Sequence, residues 1–293
     1  MVGDGFGEKP AVLVARLPDG PAGAPTGKPA ALPAGGKPVQ VLQPGDGSLK
    51  FVLPQDPDGV FVFRVSGPGG SVTGFLNRPV IWWPQGDGGL TASPGGWVRV
   101  FGRNLVMGKT PSLLLRGPRS ITLKAEGDGY AAKAALPKEL PLGTYQLFAH
   151  NGFGGSAGWS EPATLTVAAP AAWPAKVFNV RDFGADGSGT RDDTAAVQEA
   201  LKAAEANGGG VVHFPRGRYQ VTEALVVPRF TTLRGEKREW VNLLWPDMPT
   251  PPEALVRGAN SFALEDLTLY ASNHRHVIMA DPGSKAMITC RWL

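Results

Sequence analysis

Side chains able to move a proton or hold a polar ligand crowd into the stretch from Glu265 to Asp281. Asn273, His274, Arg275 and His276 form one polar turn there, with Asp281 a short way beyond. Imidazoles titrate near neutrality, and amide, guanidinium and carboxylate groups pair with the hydroxyls of a sugar. The turn therefore reads as a binding or proton-transfer surface, with an ordinary solvated turn as the alternative. Flat apolar ring faces match the C–H face of a pyranose, which makes Trp240, Trp245, Tyr270 and Trp292 candidate stacking platforms, with core or edge packing as the alternative. Two histidines supply too few ligands for a metal site. Asp192 and Asp193 are adjacent, cannot straddle a sugar ring, and read with Thr194 as a structural cap. Asp182 and Asp186 belong to the same turn system and read as structural, and His213 as packed on a strand. No residue is assigned a catalytic role.

The elements that position these groups begin with a β-prone run at Val177, Phe178 and Val180, closed by a turn cluster from Gly184 to Thr190. A helix follows. Val197, Ala200, Leu201 and Ala204 recur on one face, Glu199, Lys202 and Glu205 fall on the other, and Gly208 stands where a left-handed stop is expected. Short strands then alternate with turns through Val211–Phe214, Tyr219–Val221, Leu225–Val227 and Thr231–Leu233. Leu264, Leu267 and Leu269 face inward, and Met248 to Glu253, with four prolines among Pro246 to Pro252, is an inserted loop that can rim a groove. One amphipathic helix before many short strands is the pattern of a lid on the open end of a stacked β structure.

Asp182-Phe-Gly-Ala-Asp-Gly-Ser-Gly-Thr-Arg-Asp-Asp-Thr-Ala-Ala-Val-Gln198, with Gly208-Gly-Gly-Val-Val-His-Phe-Pro-Arg-Gly-Arg-Tyr219, resembles the N-terminal signature of the pectate-lyase-like superfamily of right-handed parallel β-helices. The resemblance covers residues 177–293. It implies polygalacturonase-type hydrolysis or polysaccharide-lyase β-elimination, coils of about 20 to 30 residues, and catalytic groups several coils beyond the helix. Residues 210–293 hold about three such coils, and Met287 to Leu293 reads as mid-strand, so the expectation is a chain lacking later coils, or self-association through the open end.

Glycine and proline, 40 and 28 of 293 residues, accompany 42% hydrophobic residues, which favours a turn-dense all-β protein over disorder. Residues 39–76 and 121–160 repeat one β module: Asp46 superposes on Asp128, Pro54 on Pro137, Gly59 on Gly143 and Gly70 on Gly155. The second copy resembles the IPT/TIG type of immunoglobulin-like domain, through Ala92-Ser-Pro-Gly-Gly-Trp-Val-Arg-Val-Phe-Gly-Arg-Asn-Leu105 and Leu140-Pro-Leu-Gly-Thr-Tyr-Gln-Leu-Phe148. Trp82 and Trp83 are consecutive on a strand, so they are expected on opposite sides, one between modules and one exposed.

The expected fold is mainly β: two tandem immunoglobulin-like β-sandwiches followed by the helix-capped start of a right-handed parallel β-helix. Residues 1–76 form the first sandwich, lacking a first strand, 77–169 the second, 170–176 a stiff linker and 177–293 the β-helix. The single Cys290 excludes an internal disulfide and is expected to be buried. A net charge of +4 with no Lys/Arg run argues against nucleic acid. No apolar run reaches the roughly 18 to 20 residues of a membrane span. No cofactor is expected. The leading expectation is an extracellular or periplasmic carbohydrate-active enzyme with a polysaccharide as its partner. The alternative is a non-catalytic glycan-binding or cell-surface adhesion protein.

Overall fold

The computed structural model describes residues 3–27, 32, 36–53, 58–170, 172–259, 261–282 and 288–291, in two compact units, residues 1–170 and 171–293. Trp292, Met287, Ala171 of the linker and Pro54 of the repeat lie outside the described residues.

In the first unit, β1 (Ala11–Arg16), β2 (Lys37–Pro38), β3 (Phe61–Gly67) and β4 (Gly70–Leu76) make one antiparallel sheet in the order β2-β1-β3-β4. The described strands of residues 1–76 thus form a single sheet rather than the expected sandwich. Each face finds a different cover. Val12, Val14, Phe61, Phe63 and Val65 pack under Phe6 and Leu49, while Leu17, Val60 and Val62 pack on Phe153 from the second copy. Loops and the neighbouring module supply the apolar cover that a second sheet gives elsewhere.

The second copy closes two sheets on one core. Strands β5 (Val80–Gly86), β6 (Thr91–Ala92), β7 (Trp97–Arg103), β8 (Ser112–Arg116), β9 (Ile121–Lys124), β10 (Glu126–Gly127), β11 (Ala131–Ala135), β12 (Gly143–His150) and β13 (Ala163–Val167) sort into the orders β10-β11-β7-β5 and β6-β13-β12-β8-β9. Val98, Val100, Leu113, Leu115, Tyr145, Leu147 and Leu165 fill the space between them. The repeat has a backbone meaning: Gly59 and its equivalent Gly143 hold φ of 119° and 142°, a region closed to residues with a Cβ. Asp128 closes its own turn by accepting from Tyr130 N (2.8 Å) and Ala131 N (2.9 Å), whereas Asp46 accepts from Gly7 N (3.2 Å) and pins a separate segment. A bulge between Ile81 and Trp83 in the edge strand β5 shifts the pleat by one residue. Trp82 and Trp83 are therefore both about half exposed and stacked at 6.2 Å, not divided between two sides as alternation alone requires.

The second unit is a coil of parallel strands. β14 (Val177–Asn179), β15 (Ser188–Asp192) and helix α1 (Thr194–Ala206) precede β16 (Gly210–Phe214), β17 (Gly217–Gln220), β18 (Leu225–Val226), β19 (Thr231–Gly235), β20 (Val241–Leu244), β21 (Ala254–Gly258), β22 (Phe262–Glu265), β23 (Thr268–Tyr270), β24 (His276–Ala280) and β25 (Ile288–Arg291). They stack as three parallel sheets, β14-β16-β19-β22-β25, β15-β17-β20-β23 and β18-β21-β24. Successive strands enter the three sheets in turn, so each circuit adds one rung to each. Val212, Leu233 and Leu264 stack in register along the interior, as do Tyr219, Leu243 and Leu269. Helix α1 lays Val197, Ala200, Leu201 and Ala204 into the same core, the face read from spacing, and Gly208 is left-handed after it (φ 78°). Trp173 of the expected linker lies against Phe230, with ring centroids 5.7 Å apart. Cys290 continues the row of Leu264 yet is exposed, contrary to expectation, because no described rung covers it.

Candidate functional site

The turn ahead of α1 is held by its two aspartates in different ways. Asp192 Oδ1 accepts from Thr194 N at 2.9 Å and from the Thr194 hydroxyl, and Oδ2 accepts from Thr222 Oγ1 at 2.8 Å. Burial pushes its pKa up, but the Thr194 and Thr222 bonds outweigh it and leave the carboxyl below the usual range. Asp193 occupies the N-cap position and caps nothing with its side chain. Its buried carboxylate accepts from Asp186 N (2.9 Å) and Gly187 N (3.2 Å), so it closes the turn cluster instead of the helix. The reason is geometric: with Asp192 already on Thr194, the Asp193 side chain points back to the two free amides. Desolvation raises its pKa. Asp186 Oδ1 in turn accepts from Ser188 N at 2.7 Å, as expected of a structural residue. His213 is half-buried on the outer face of β16.

Two surfaces of the coil carry polar chemistry. On the first sheet, the outward positions Arg234, Glu265 and Arg291 stand in register on successive rungs. Arg234 Nη2 lies 2.9 Å from Glu265 Oε2, and Arg291 Nη1 lies 3.7 Å from Oε1, so two guanidiniums bracket one carboxylate. Sequence reading missed this row. Each member follows an inward residue, Leu233, Leu264 or Cys290, but unequal spacing between rungs hides the alignment until the register is known.

At the corner between the second and third sheets, residues 246–253 and the polar turn stack. Ser272 Oγ bonds Asp247 Oδ1, Asn273 Nδ2 donates to Met248 O (2.9 Å), Arg275 Nη1 lies 3.9 Å from Glu253 Oε1, and His276 N donates to Glu253 O (3.2 Å). An open groove of about 370 Å³ nearby is lined by Gln220, Leu244, Trp245, Pro246, Tyr270 and Ser272, and none of Met248 to Glu253 lines it. Tyr270 is exposed beside this groove. Asn273, Arg275 and His276 are also exposed, while both ring nitrogens of His274 are shielded from solvent without a hydrogen-bond partner among the described residues.

Two candidates move elsewhere. Trp245 is 3% exposed, belongs to the core and donates Nε1–H to Glu223 O at 3.1 Å, so it is no stacking platform. Along the strand Leu243 points in, Leu244 out, and Trp245 in again. Asp281 pairs with Arg257 at 3.3 Å rather than with either histidine. Trp240 is exposed, with Lys237 Nζ 5.0 Å from its ring centroid. No three His, Cys, Asp or Glu side chains are grouped to hold a metal among the described residues, and no described helix is long and apolar enough to cross a membrane.

Residues 177–244 match the family described as rhamnogalacturonase A/epimerase, pectate lyase-like. Mannuronan C5-epimerase AlgE3 of Azotobacter vinelandii is 60% identical over 45 residues, 15% of this chain and 2% of that protein. Plasmin and fibronectin-binding protein A of Streptococcus pneumoniae (strain ATCC BAA-255 / R6) is 45% identical over 67 residues, 22% of this chain and 9% of that protein. The chain therefore spans only a small part of either relative. The A-module of A. vinelandii mannuronan C-5 epimerase AlgE6 superposes with a TM-score of 0.34 at 30% identity, over 39% of this chain and 36% of that one. Across the helix lid and first rungs, then, the chain is similar to pectate-lyase-like proteins that act on polysaccharides.

Proposed function

We propose that residues 177–293 serve a carbohydrate-active protein whose polymer is acidic, and that this protein works outside the cytoplasm as a hydrolase, lyase or related uronan-modifying enzyme. The observation that carries this reading is the Arg234–Glu265–Arg291 row, on a coil whose residues 177–244 match a pectate-lyase-like family. Two guanidiniums against one carboxylate leave a positive charge, and a planar guanidinium pairs bidentately with a sugar carboxylate. The groove lined by Tyr270 supports the same reading, offering a ring face with Gln220 and Ser272 beside it to a sugar unit. Asn273, His274, Arg275, His276, Tyr270 and Asp281 remain our candidate contacts, and Trp245 is withdrawn. The immunoglobulin-like, IPT/TIG-type reading of residues 77–169 is supported by two sheets closed on one core and belongs to this proposal as a spacer or binding module.

Incubation with polygalacturonate, alginate and a neutral glucan tests it, following reducing ends, ultraviolet absorbance of unsaturated uronates, and solvent-hydrogen exchange at C5. Turnover confined to polyuronates and reduced by Arg234→Gln supports the proposal; turnover of the neutral glucan alone contradicts it. The non-catalytic adhesion reading is favoured by the similarity to the streptococcal binding protein. Its signature is retention of a polyuronate with no product in any of the three assays.

A further inference from the structure

The outer face of the β5-β7-β11 sheet carries rings and cations in one contiguous row. On β7 the pleat buries Val98 and Val100 and turns Trp97, Arg99, Phe101 and Arg103 outward. Register sets Trp83 beside Phe101 and Lys133 beside Arg99. Trp82 stacks on Trp83 at 6.2 Å and Trp83 on Phe101 at 5.1 Å. The Arg99 guanidinium lies 6.0 Å from Phe101 and 5.7 Å from Trp97, and Lys133 Nζ lies 4.6 Å from Trp97. Glu126 stands opposite Lys133 as an acidic residue on this face, beside Arg99, Arg103 and Lys133. The bulge at Ile81/Trp83 gives up a ladder position and leaves two indoles in water, and exposed aromatic patches of this kind mark binding surfaces.

We propose that this face is a glycan-binding site for a carboxylate-bearing polysaccharide, separate from the coil. Indole faces take the C–H faces of pyranose units, and Arg99, Arg103 and Lys133 take their carboxylates. Trp82, Trp83 and Phe101 follow one another as rings, and Arg99, Trp97 and Lys133 continue them as cation, ring and cation across three adjacent strands. A polymer whose units each carry an apolar ring face and a carboxylate matches this series along its length, whereas a protein partner needs a closed patch of about 800 Å² per side. A second copy adding a strand to the β5 edge is opposed by the bulge and by Pro84, which has no N–H to give. Single-stranded nucleic acid needs a cationic groove along its backbone, which Glu126 interrupts.

Affinity electrophoresis of the full chain through polygalacturonate, a neutral glucan and, in solution, an oligothymidylate tests this. Retention by polygalacturonate should weaken about tenfold in Trp82→Ala/Trp83→Ala, and Arg99→Gln/Lys133→Gln should abolish the preference over the neutral glucan while circular dichroism stays unchanged. Trp83→Tyr should restore part of the retention. Undiminished retention in the double tryptophan variant, or equal affinity for oligothymidylate, overturns the inference. Loss of retention in Arg234→Gln with the tryptophan variant unaffected also overturns it, placing the polymer on the coil and leaving the reading of residues 177–293 intact.

Discussion

Trp245 and Tyr270 meet across one rung, where Trp245 N donates to Tyr270 O at 2.9 Å, yet one is core and the other surface. Their types were legible in the sequence; their sides were not, because Trp245 lies just past the end of β20 and its parity depends on that strand's register. Trp245→Ala should cost about 3–5 kcal/mol in urea denaturation, and Tyr270→Ala under about 0.5 kcal/mol; the reverse order would contradict a packed Trp245. A second residue-scale prediction concerns His150, which is 3% exposed. Its Nδ1 accepts from Gly152 N at 3.0 Å, which leaves Nε2–H to donate to Gly155 O at 2.9 Å. Burial, aided by Lys109 and opposed by the Gly155 carbonyl and Asp19, holds its pKa below the ordinary 6.5. The unfolded chain therefore takes up this proton first as pH falls, so stability present above about pH 6.5 is lost as pH drops toward the folded-state value. Calorimetry should show the melting temperature of residues 1–170 falling between about pH 7.5 and 5.5, with His150→Gln flattening that slope. A slope unchanged in the variant would assign the proton elsewhere.

Helix α1 was the most legible element, because four apolar residues on one face admit a single amphipathic reading. What spacing did not disclose was the division of labour between Asp192 and Asp193, since both have side chains able to cap and only the path of the turn decides between them. Asp192→Ala should cost about 1 kcal/mol. The bulge in β5 was equally hidden: alternation sends Trp82 and Trp83 apart, and one extra residue on an edge strand reverses that. As a lid, α1 covers the interior of the first rungs. Leu201→Asp buries an unpaired charge there and should abolish the calorimetric transition of residues 171–293, with dye binding to exposed apolar surface, while the transition of residues 1–170 persists. Survival of both transitions would mean that the coil does not need its lid.

For the molecule as a whole, the parallel coil was legible because its opening turn, helix and Gly-rich entry are local in sequence, whereas the charged row on its first sheet depends on rungs of unequal length. The single sheet of residues 1–76 escaped for a related reason: its cover comes from loops and from Phe153, far along the chain. Residues 177–293 are proposed above to engage an acidic polysaccharide. The most direct measurement is a calorimetric titration of the full chain with polygalacturonate and with a neutral glucan, in the Trp82→Ala/Trp83→Ala background that silences the sheet face. Heat of binding should remain for the polyuronate, weaken with added salt and with Arg234→Gln, and be missing for the glucan. No binding of polyuronate in that background, or equal binding of both polymers, would contradict the claim.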